Sequence, residues 1–185
     1  AGGGGGRGGG GGGGVVGGGD GAGEEGAKAR GGRGGDCGPC GSWPVLRGAK
    51  TLGVRMDRQC ANAQRVVELL TASPKVSKVL YPGLPEHPGH DVAVKQMRDF
   101  GGMVSFRVTG GEAAALAVCR STKVFTLGES LGGVESLIEH PARMTHASVA
   151  GSPLEVPDDR VRLSVGIESV DDLLEDLTRA LAAAP

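Results

Sequence analysis

Aromatic side chains are scarce in this chain of 185 residues, which contains one Trp, one Tyr and three Phe. None of them falls within residues 1–35, a stretch that instead holds 22 of the 37 glycines. A segment with so few large apolar side chains cannot bury enough surface to offset the entropy that its backbone loses on folding. We therefore expect residues 1–37 to form a glycine-rich, disordered leader and the folded part of the chain to begin near Pro39.

Several further absences exclude whole classes of protein. The formal net charge is −1, which gives no reason to expect nucleic acid or another polyanion as a partner. No apolar run is long enough to cross a bilayer, and no charged-then-apolar leader indicates secretion, so we expect a cytoplasmic protein that does not bind membranes. The four cysteines are too few for a disulfide scaffold. No second ligand pair follows Cys37 and Cys40 at the spacing of a zinc site, so we predict no metal.

Residues 36–43 read DCGPCGSW and include Cys37-Gly38-Pro39-Cys40, the dithiol pattern of thioredoxin-like oxidoreductases. In those proteins a strand precedes the first cysteine and a helix follows it, and this context lowers the pKa of the thiol. The glycine-rich residues before Cys37 do not predict a strand, and Gly41-Ser42-Trp43-Pro44 does not predict the start of a helix. We interpret the pattern as an accident of composition rather than a redox site.

Arg-Gly-Gly triplets begin at Arg7, Arg30 and Arg33, and such triplets occur in disordered RNA-binding tails. Those tails combine clustered positive charge with aromatic residues. Here four basic residues accompany three acidic ones, and no aromatic residue is present. Low-complexity sequence without a binding function is therefore the favoured interpretation, and an RNA-binding tail is the alternative.

Apolar residues from Val45 to Leu70 recur at alternating steps of three and four, the period of one helix face. This pattern predicts a single long amphipathic helix that has Cys60 on its buried side and ends at Ser73-Pro74. Together with the residues before it, this helix forms a linking segment over residues 38–74.

The remaining residues, 75–185, predict an α/β domain. The patterns predict strands and helices in this order: strand 76–83, helix 90–99, strand 102–108, helix 110–119, strands 123–128, 134–140 and 161–166, and a final helix. Alternation in the second strand places Val104, Phe106 and Val108 on one buried face, and Ser169 is expected to cap the last helix. Short links between successive strands indicate a partly antiparallel sheet with helices packed on it.

Two places in this domain offer residues suited to chemistry. Glu129 and Ser130 present a carboxylate and a hydroxyl at the end of a predicted strand, just before Gly132-Gly133, where the backbone can approach a ligand closely. Arg162 lies in an otherwise apolar strand, and its planar guanidinium suits a ligand carboxylate. A structural ion pair with an internal acid explains Arg162 equally well. Residues 140–159 form a long loop with three prolines, whose length suggests a functional role.

Four stretches resemble a known family. Residues 45–70, 79–106, 129–169 and the closing helix closely resemble the C-terminal part of the Cys/Met-metabolism pyridoxal-phosphate enzymes, among them cystathionine γ-synthase and cystathionine γ-lyase. The run 129–169 is long and specific, and the resemblance extends over about residues 38–182. It implies the small C-terminal domain of the aminotransferase-like, type I pyridoxal-phosphate fold, with a mixed sheet, helices packed on it and a long linking helix.

The resemblance also implies roles for three residues. Arg162 would bind the α-carboxylate of an amino-acid substrate, Ser130 would contact the substrate–cofactor adduct, and Glu129 would help to select the distal end of the substrate. Family members hold pyridoxal 5'-phosphate on a lysine as a Schiff base, and the cofactor ring serves as an electron sink. The expected partners are a homoserine ester, cysteine or cystathionine, and further copies of the same chain in a homo-oligomer.

The family's Schiff-base lysine lies in a Ser-x-Thr-Lys stretch that has no counterpart in these residues, where only Lys28 precedes Lys50. We therefore assign no catalytic and no cofactor-binding residue, and we expect these 185 residues alone to be inactive. The favoured function is that of the C-terminal domain of a synthase that replaces the γ-substituent of an activated homoserine ester with cysteine. Elimination of the γ-lyase type and a non-catalytic assembly or binding module are the alternatives.

Overall fold

The computed structural model describes residues 39–145 and 156–185. The chain divides into two compact units, Ala1–Gly53 and Val54–Pro185. The expected leader, Cys37 and half of the expected loop 140–159 lie outside the described residues.

The first unit contains a short helix, α1, over Pro39–Ala49. This helix includes Gly41 and Pro44, so the interpretation that no helix follows the cysteine pair was wrong. Pro39 is the first residue of the helix, a position at which the missing N–H of proline has no intrahelical acceptor to lose and the fixed φ of the ring favours the helix. Cys40 is exposed on this helix.

The single helix predicted over Val45–Leu70 is instead two helices. The first ends at Ala49, and the second, α2, spans Leu52–Ala72. Between them Thr51 closes a turn, because its N–H and its hydroxyl both donate to the Gly48 carbonyl at 3.2 Å. Gly48 has a low helix propensity, and the Thr51 hydroxyl competes for a backbone carbonyl, so the apolar period continues through a break in the helical backbone.

Within the second unit, α2 buries the C-terminal part of its predicted apolar face. Cys60, Ala63, Val67 and Leu70 are buried, and the helix ends just before Ser73-Pro74, as predicted. None of the described helices is both long enough and apolar enough to cross a membrane.

The remaining elements follow the predicted order. They are β1 (Val76–Leu80), α3 (His90–Gln96), β2 (Met103–Val108), α4 (Gly111–Ser121), β3 (Thr126–Leu127), β4 (Leu137–Glu139), β5 (Arg160–Ser164) and α5 (Val170–Ala182). The third and fourth strands are much shorter than the sequence predicts, because the N–H groups of residues 123–125 donate to the Asp176 carboxylate and that of Ser136 donates to the Glu168 carboxylate rather than to a neighbouring strand.

The five strands form one mixed sheet in the order β1-β2-β5-β4-β3. Three of the four neighbouring pairs are antiparallel, and β3 with β4 is parallel, which confirms the predicted partly antiparallel sheet. β5 is the central strand and therefore has a neighbour on each side. Arg162 on this strand lies opposite Ser105 of β2 and Glu139 of β4.

The hydrophobic core lies on one face of this sheet. Val104, Phe106 and Val108 are buried, as the alternation of β2 predicts, whereas the residues between them are half-buried. Buried residues of α2, α4 and α5 belong to the same cluster. Full burial of each large apolar side chain contributes about 1.5–3 kcal/mol to the free energy of folding, so the helices pack against this face. The opposite face carries polar residues, Arg162 among them.

The last helix is held by packing rather than by its predicted cap. Ser169 stands at the N-cap position of α5, but its side chain makes no hydrogen bond to the helix, so the capping prediction was wrong in that respect. Leu173, Leu177 and Leu181 are buried in the core. Burial of an amphipathic face supplies most of the stability of a protein helix, which makes the missing cap bond tolerable.

Candidate functional site

Arg162 forms a partly buried ion pair on the polar face of the sheet. Its Nη2 lies 3.0 Å from Oε2 of Glu139, the residue opposite on β4. The Glu139 side chain is 1% exposed and that of Arg162 is 21% exposed. Of the two alternatives left open by the sequence, the structure shows the ion pair with an internal acid, and it also leaves part of the guanidinium open to a ligand.

The end of β3 approaches the same arginine. Parallel pairing places Leu127 opposite Ile138, and the strand end runs on beside β4. Nη2 of Arg162 donates a hydrogen bond to the backbone carbonyl of Glu129 at 2.9 Å. Glu129 and Ser130 are both exposed. The structure therefore brings Glu129 beside Arg162 through its backbone carbonyl rather than through its carboxylate, and Ser130 follows Glu129 in the chain.

Residues 128–136 connect β3 to β4 and are called the β3–β4 loop below. In its middle, Gly132 has φ +74°, a conformation that glycine adopts without strain. The Gly132 N–H donates to Oγ of Ser164 at 2.8 Å, and Nε2 of Gln59 donates to the Gly133 carbonyl at 2.7 Å. Both side chains are buried. One side chain from β5 and one from α2 thus hold the part of the loop that follows Ser130.

A second set of hydrogen bonds holds the far end of the β3–β4 loop. The Glu168 carboxylate accepts the N–H and the hydroxyl of Ser136 at 2.5 and 2.8 Å, and Oγ of Ser136 accepts the Gly166 N–H at 2.8 Å. Nδ2 of Asn62 donates to the carbonyls of Gly166 and Glu168 at 3.1 and 3.0 Å. A Cβ at Gly166 would collide with the Val134 carbonyl and with Glu168, so only glycine fits there.

The residues before β3 are held by α5. Asp176 is 1% exposed, and its carboxylate accepts the backbone N–H groups of Lys123, Val124 and Phe125 at 2.8, 2.8 and 3.0 Å. Arg179 forms an ion pair with the same carboxylate. The buried carboxylate of Asp176 therefore fixes the segment before β3, and the half-buried carboxylate of Glu168 fixes the far end of the β3–β4 loop.

Sequence reasoning missed these buried polar residues. Gln59 and Asn62 lie three positions apart on the face of α2 that also carries buried apolar residues, and this polar interruption was the only available signal. Glu139 lies in a stretch that was predicted only as a strand. Asn62 and its acceptor Glu168 are 106 positions apart, so no local pattern identifies their contact.

The buried thiols are poor nucleophiles. Burial raises the pKa of Cys60, and it raises the pKa of Cys119 to about 12. Because the thiolate is the reactive form, neither group is suited to thiol chemistry near neutral pH. Within residues 39–145 and 156–185, no cluster of three or more His, Cys, Asp or Glu side chains is placed to hold a metal ion.

Because the resemblance implies that a lysine holds pyridoxal phosphate, the positions of the lysines test whether the described residues could hold this cofactor. Five are described: Lys50, Lys75, Lys78, Lys95 and Lys123. None of these five lies on β4, on β5 or in the β3–β4 loop, and Nζ of Lys75 is bonded to the Ala184 carbonyl at 2.9 Å. The described residues therefore do not supply a lysine on the elements that carry Arg162, Glu129 and Ser130.

Comparison with known proteins matches the chain to one enzyme family. The profile of the Cys/Met metabolism PLP-dependent enzymes matches residues 5–182. Cystathionine gamma-synthase of Mycobacterium tuberculosis is 60% identical over 158 residues, which are 85% of this chain and 41% of that protein. The Mycobacterium leprae enzyme of the same name is 64% identical over 143 residues, 77% of this chain and 37% of that protein. Cystathionine beta-lyase of Lactococcus lactis is 54% identical over 147 residues, 78% of this chain and 38% of that protein.

A solved structure agrees with the predicted fold. The crystal structure of metB from Corynebacterium glutamicum superimposes with a TM-score of 0.83 at 57% identity, over 86% of this chain and 41% of that chain. The chain thus spans about two-fifths of the length of the relatives that it matches. The match along residues 5–182, together with this shared fold, shows that the chain belongs to the family of Cys/Met metabolism PLP-dependent enzymes.

Proposed function

We propose that this chain forms the substrate-carboxylate side of the active site of a cystathionine γ-synthase. The observation that carries the proposal is the position of Arg162, which is partly exposed on the central strand and bonded to the carbonyl of Glu129. A guanidinium is a planar, permanently charged donor whose geometry matches a carboxylate. The carbonyl of Glu129 lies beside it, and in this proposal the rest of an amino-acid substrate extends toward the exposed side chains of Glu129 and Ser130.

Each of the three residues has its own role in this proposal. Arg162 binds the α-carboxylate and so orients the substrate. The Ser130 hydroxyl contacts the substrate next to the cofactor, and the Glu129 carboxylate interacts with the distal end of the substrate. Pyridoxal phosphate would supply the electron sink that allows the γ-substituent to leave. Orientation of the substrate by a fixed charged group lowers the activation barrier by several kcal/mol when the reacting atoms are held close together.

The choice of a synthase rests on the relatives. The two mycobacterial proteins named cystathionine gamma-synthase are 60% and 64% identical to the chain, whereas the Lactococcus protein named cystathionine beta-lyase is 54% identical. We therefore propose γ-replacement, in which cysteine displaces the substituent of an activated homoserine ester. Elimination of the γ-lyase type is the alternative for the same three residues.

A chimeric enzyme tests the reaction class. Residues 38–182 would replace the matching segment of the Mycobacterium tuberculosis cystathionine gamma-synthase. The chimera is expected to form cystathionine from an activated homoserine ester and cysteine, and to release little ammonia from cystathionine. The variant Arg162→Lys in the same chimera keeps the charge but loses the planar fork, and is expected to raise KM at least about tenfold. Predominant ammonia release would favour the lyase alternative.

We also propose that the 185 residues by themselves do not turn over substrate. Support comes from the absence of a Ser-x-Thr-Lys stretch in the sequence. After incubation with pyridoxal phosphate and reduction with borohydride, intact-mass spectrometry should show no stoichiometric cofactor on a lysine. One retained cofactor per chain would contradict this proposal. Self-association, which the family resemblance implies, is a separate proposal that light scattering of the same chain tests.

A further inference from the structure

Glu139 and Arg162 differ in how far they are withdrawn from solvent. The Glu139 side chain is 1% exposed, whereas the Arg162 side chain is 21% exposed. Oε1 of Glu139 accepts the hydroxyl of Thr145 at 3.3 Å, and its Oε2 faces Arg162 at 3.0 Å. The buried Glu139 carboxylate is thus held by Thr145, while the Arg162 side chain is partly exposed on the polar side of the sheet.

The guanidinium of Arg162 is only partly used within the chain. Its Nη2 donates a hydrogen bond to the Glu129 carbonyl, and it lies 3.0 Å from Oε2 of Glu139, an oxygen that accepts no hydrogen bond from the described residues. In the part of the chain that the structure describes, Nε and Nη1 of Arg162 have no hydrogen-bond acceptor. A second carboxylate can therefore dock on the open edge of the fork while Glu139 stays in place.

We propose that Glu139 is a positioning residue that fixes the Arg162 guanidinium and limits its affinity for an incoming carboxylate. The inference rests on the proposed role of Arg162 as the substrate-carboxylate anchor. A carboxylate that approaches the pair meets a nearly neutral group rather than a free cation, so its Coulomb attraction is reduced. The same pair removes rotamer freedom from the arginine before the ligand arrives, which favours one docking geometry.

A neighbouring ion pair provides a matched control. Nε of Arg107 donates to both carboxylate oxygens of Asp159 at 2.8 and 2.9 Å. Arg107 lies two residues from Ser105, the cross-strand neighbour of Arg162, and thus on the same face of the sheet. Loss of the Asp159 charge changes the field on that face without touching Arg162.

The test is a titration of the 185-residue chain with acetate. Binding is monitored by ¹⁵N–¹H NMR of the Arg162 Nε–H and of the backbone amides. Acetate replaces chloride during the titration, so that the ionic strength stays constant. Glu139→Gln keeps the shape of the side chain and removes its charge, and is expected to lower Kd about threefold to fivefold. Asp159→Asn is expected to leave Kd unchanged. Arg162→Lys is expected to raise Kd about fivefold, because the fork is lost.

The outcomes separate this inference from the proposed function. If Arg162→Lys weakens acetate binding but Glu139→Gln leaves Kd equal or higher, the inference is overturned and the proposed anchor stands. If the folded chain shows no saturable shift at Arg162, or if Arg162→Lys binds as the parent does, the proposed anchor fails and the inference fails with it. Should Glu139→Gln lose its dispersed spectrum, Glu139→Met removes the same charge at similar volume and must show the same tightening.

Discussion

Asp176 and Val124 are joined by a partly buried hydrogen bond that crosses 52 positions of sequence, from the Val124 N–H to Oδ2 of Asp176 at 2.8 Å. The neighbouring N–H groups of Lys123 and Phe125 donate to the same carboxylate. Three consecutive backbone donors thus converge on one acid of α5. The segment that precedes β3 is therefore held by a side chain rather than by strand pairing, and this segment leads through β3 to Glu129.

Asp176→Asn should lower the free energy of unfolding by about 2–4 kcal/mol. The amide keeps the volume but loses the charge and one acceptor, so at least one buried N–H is left without a partner. Urea unfolding of the chain measures the loss. Glu175→Gln, at an exposed neighbouring position of α5, serves as the control and should change stability by no more than about 0.5 kcal/mol. Equal losses in both variants would contradict the role of Asp176.

Ser164→Ala should loosen the β3–β4 loop without unfolding the chain. The Gly132 N–H then has no acceptor, and its amide hydrogen should exchange at least about tenfold faster, with a stability loss of about 1–3 kcal/mol. Hydrogen exchange followed by NMR measures both values. Gln59→Ala should have a similar effect around Gly133, whereas Gln64→Ala, on the exposed side of the same helix, should have none. An unchanged exchange rate at Gly132 in Ser164→Ala would show that the hydrogen bond to Ser164 does not fix the β3–β4 loop.

Gly166→Ala should be among the most destabilising single-methyl additions in the second unit. The added Cβ meets the Val134 carbonyl and the Glu168 carboxylate at less than contact distance, so the loop end must shift at a cost of about 2–4 kcal/mol. Gly53→Ala adds the same methyl within α2, where nothing lies within 4 Å, and should instead stabilise by up to about 1 kcal/mol. Thermal unfolding of both variants makes the comparison, and a stable Gly166→Ala chain would disprove the close approach.

Stability should fall as the pH rises above about 9. Burial raises the pKa of Cys119 from 9.0 to about 12. Between these two values the folded chain keeps a proton that the unfolded chain releases, so the stabilisation is complete below pH 9 and is lost progressively toward pH 12. The pKa of Cys60, also raised by burial, contributes in the same direction above pH 9. The pKa of Tyr81, raised by burial to about 12, adds a further contribution above pH 10.

Urea unfolding between pH 8 and 10.5, with a reductant present, measures this slope. Cys119→Ala should reduce the slope of stability against pH below pH 10. The variant also loses some stability at every pH, because its side chain is smaller. Cys40→Ala, at an exposed position, should leave the slope as it is. A slope in Cys119→Ala equal to that of the parent chain would assign the pH dependence to other groups.

Local patterns predicted most of the elements. The alternation of Val104, Phe106 and Val108 identified β2 and its buried face, because neighbouring side chains of a strand point to opposite sides whatever the partner strand is. The apolar period of α2 identified Cys60, Ala63, Val67 and Leu70 as buried, because side chains three and four positions apart share one face of a helix. The break at Gly48 and Thr51 was missed, since periodicity of side chains continues across a turn that only backbone hydrogen bonds reveal.

The sequence by itself determined that Arg162 is an unusual charge in an apolar strand and that Glu129 and Ser130 follow a strand end. The tertiary structure decided what these residues contact. Strand order and register put Glu139 opposite Arg162, and the parallel pairing of β3 with β4 brought the carbonyl of Glu129 to the same guanidinium. Contacts of this kind depend on which distant segments pair, a choice made by burial of the whole core, so no short stretch of sequence contains them.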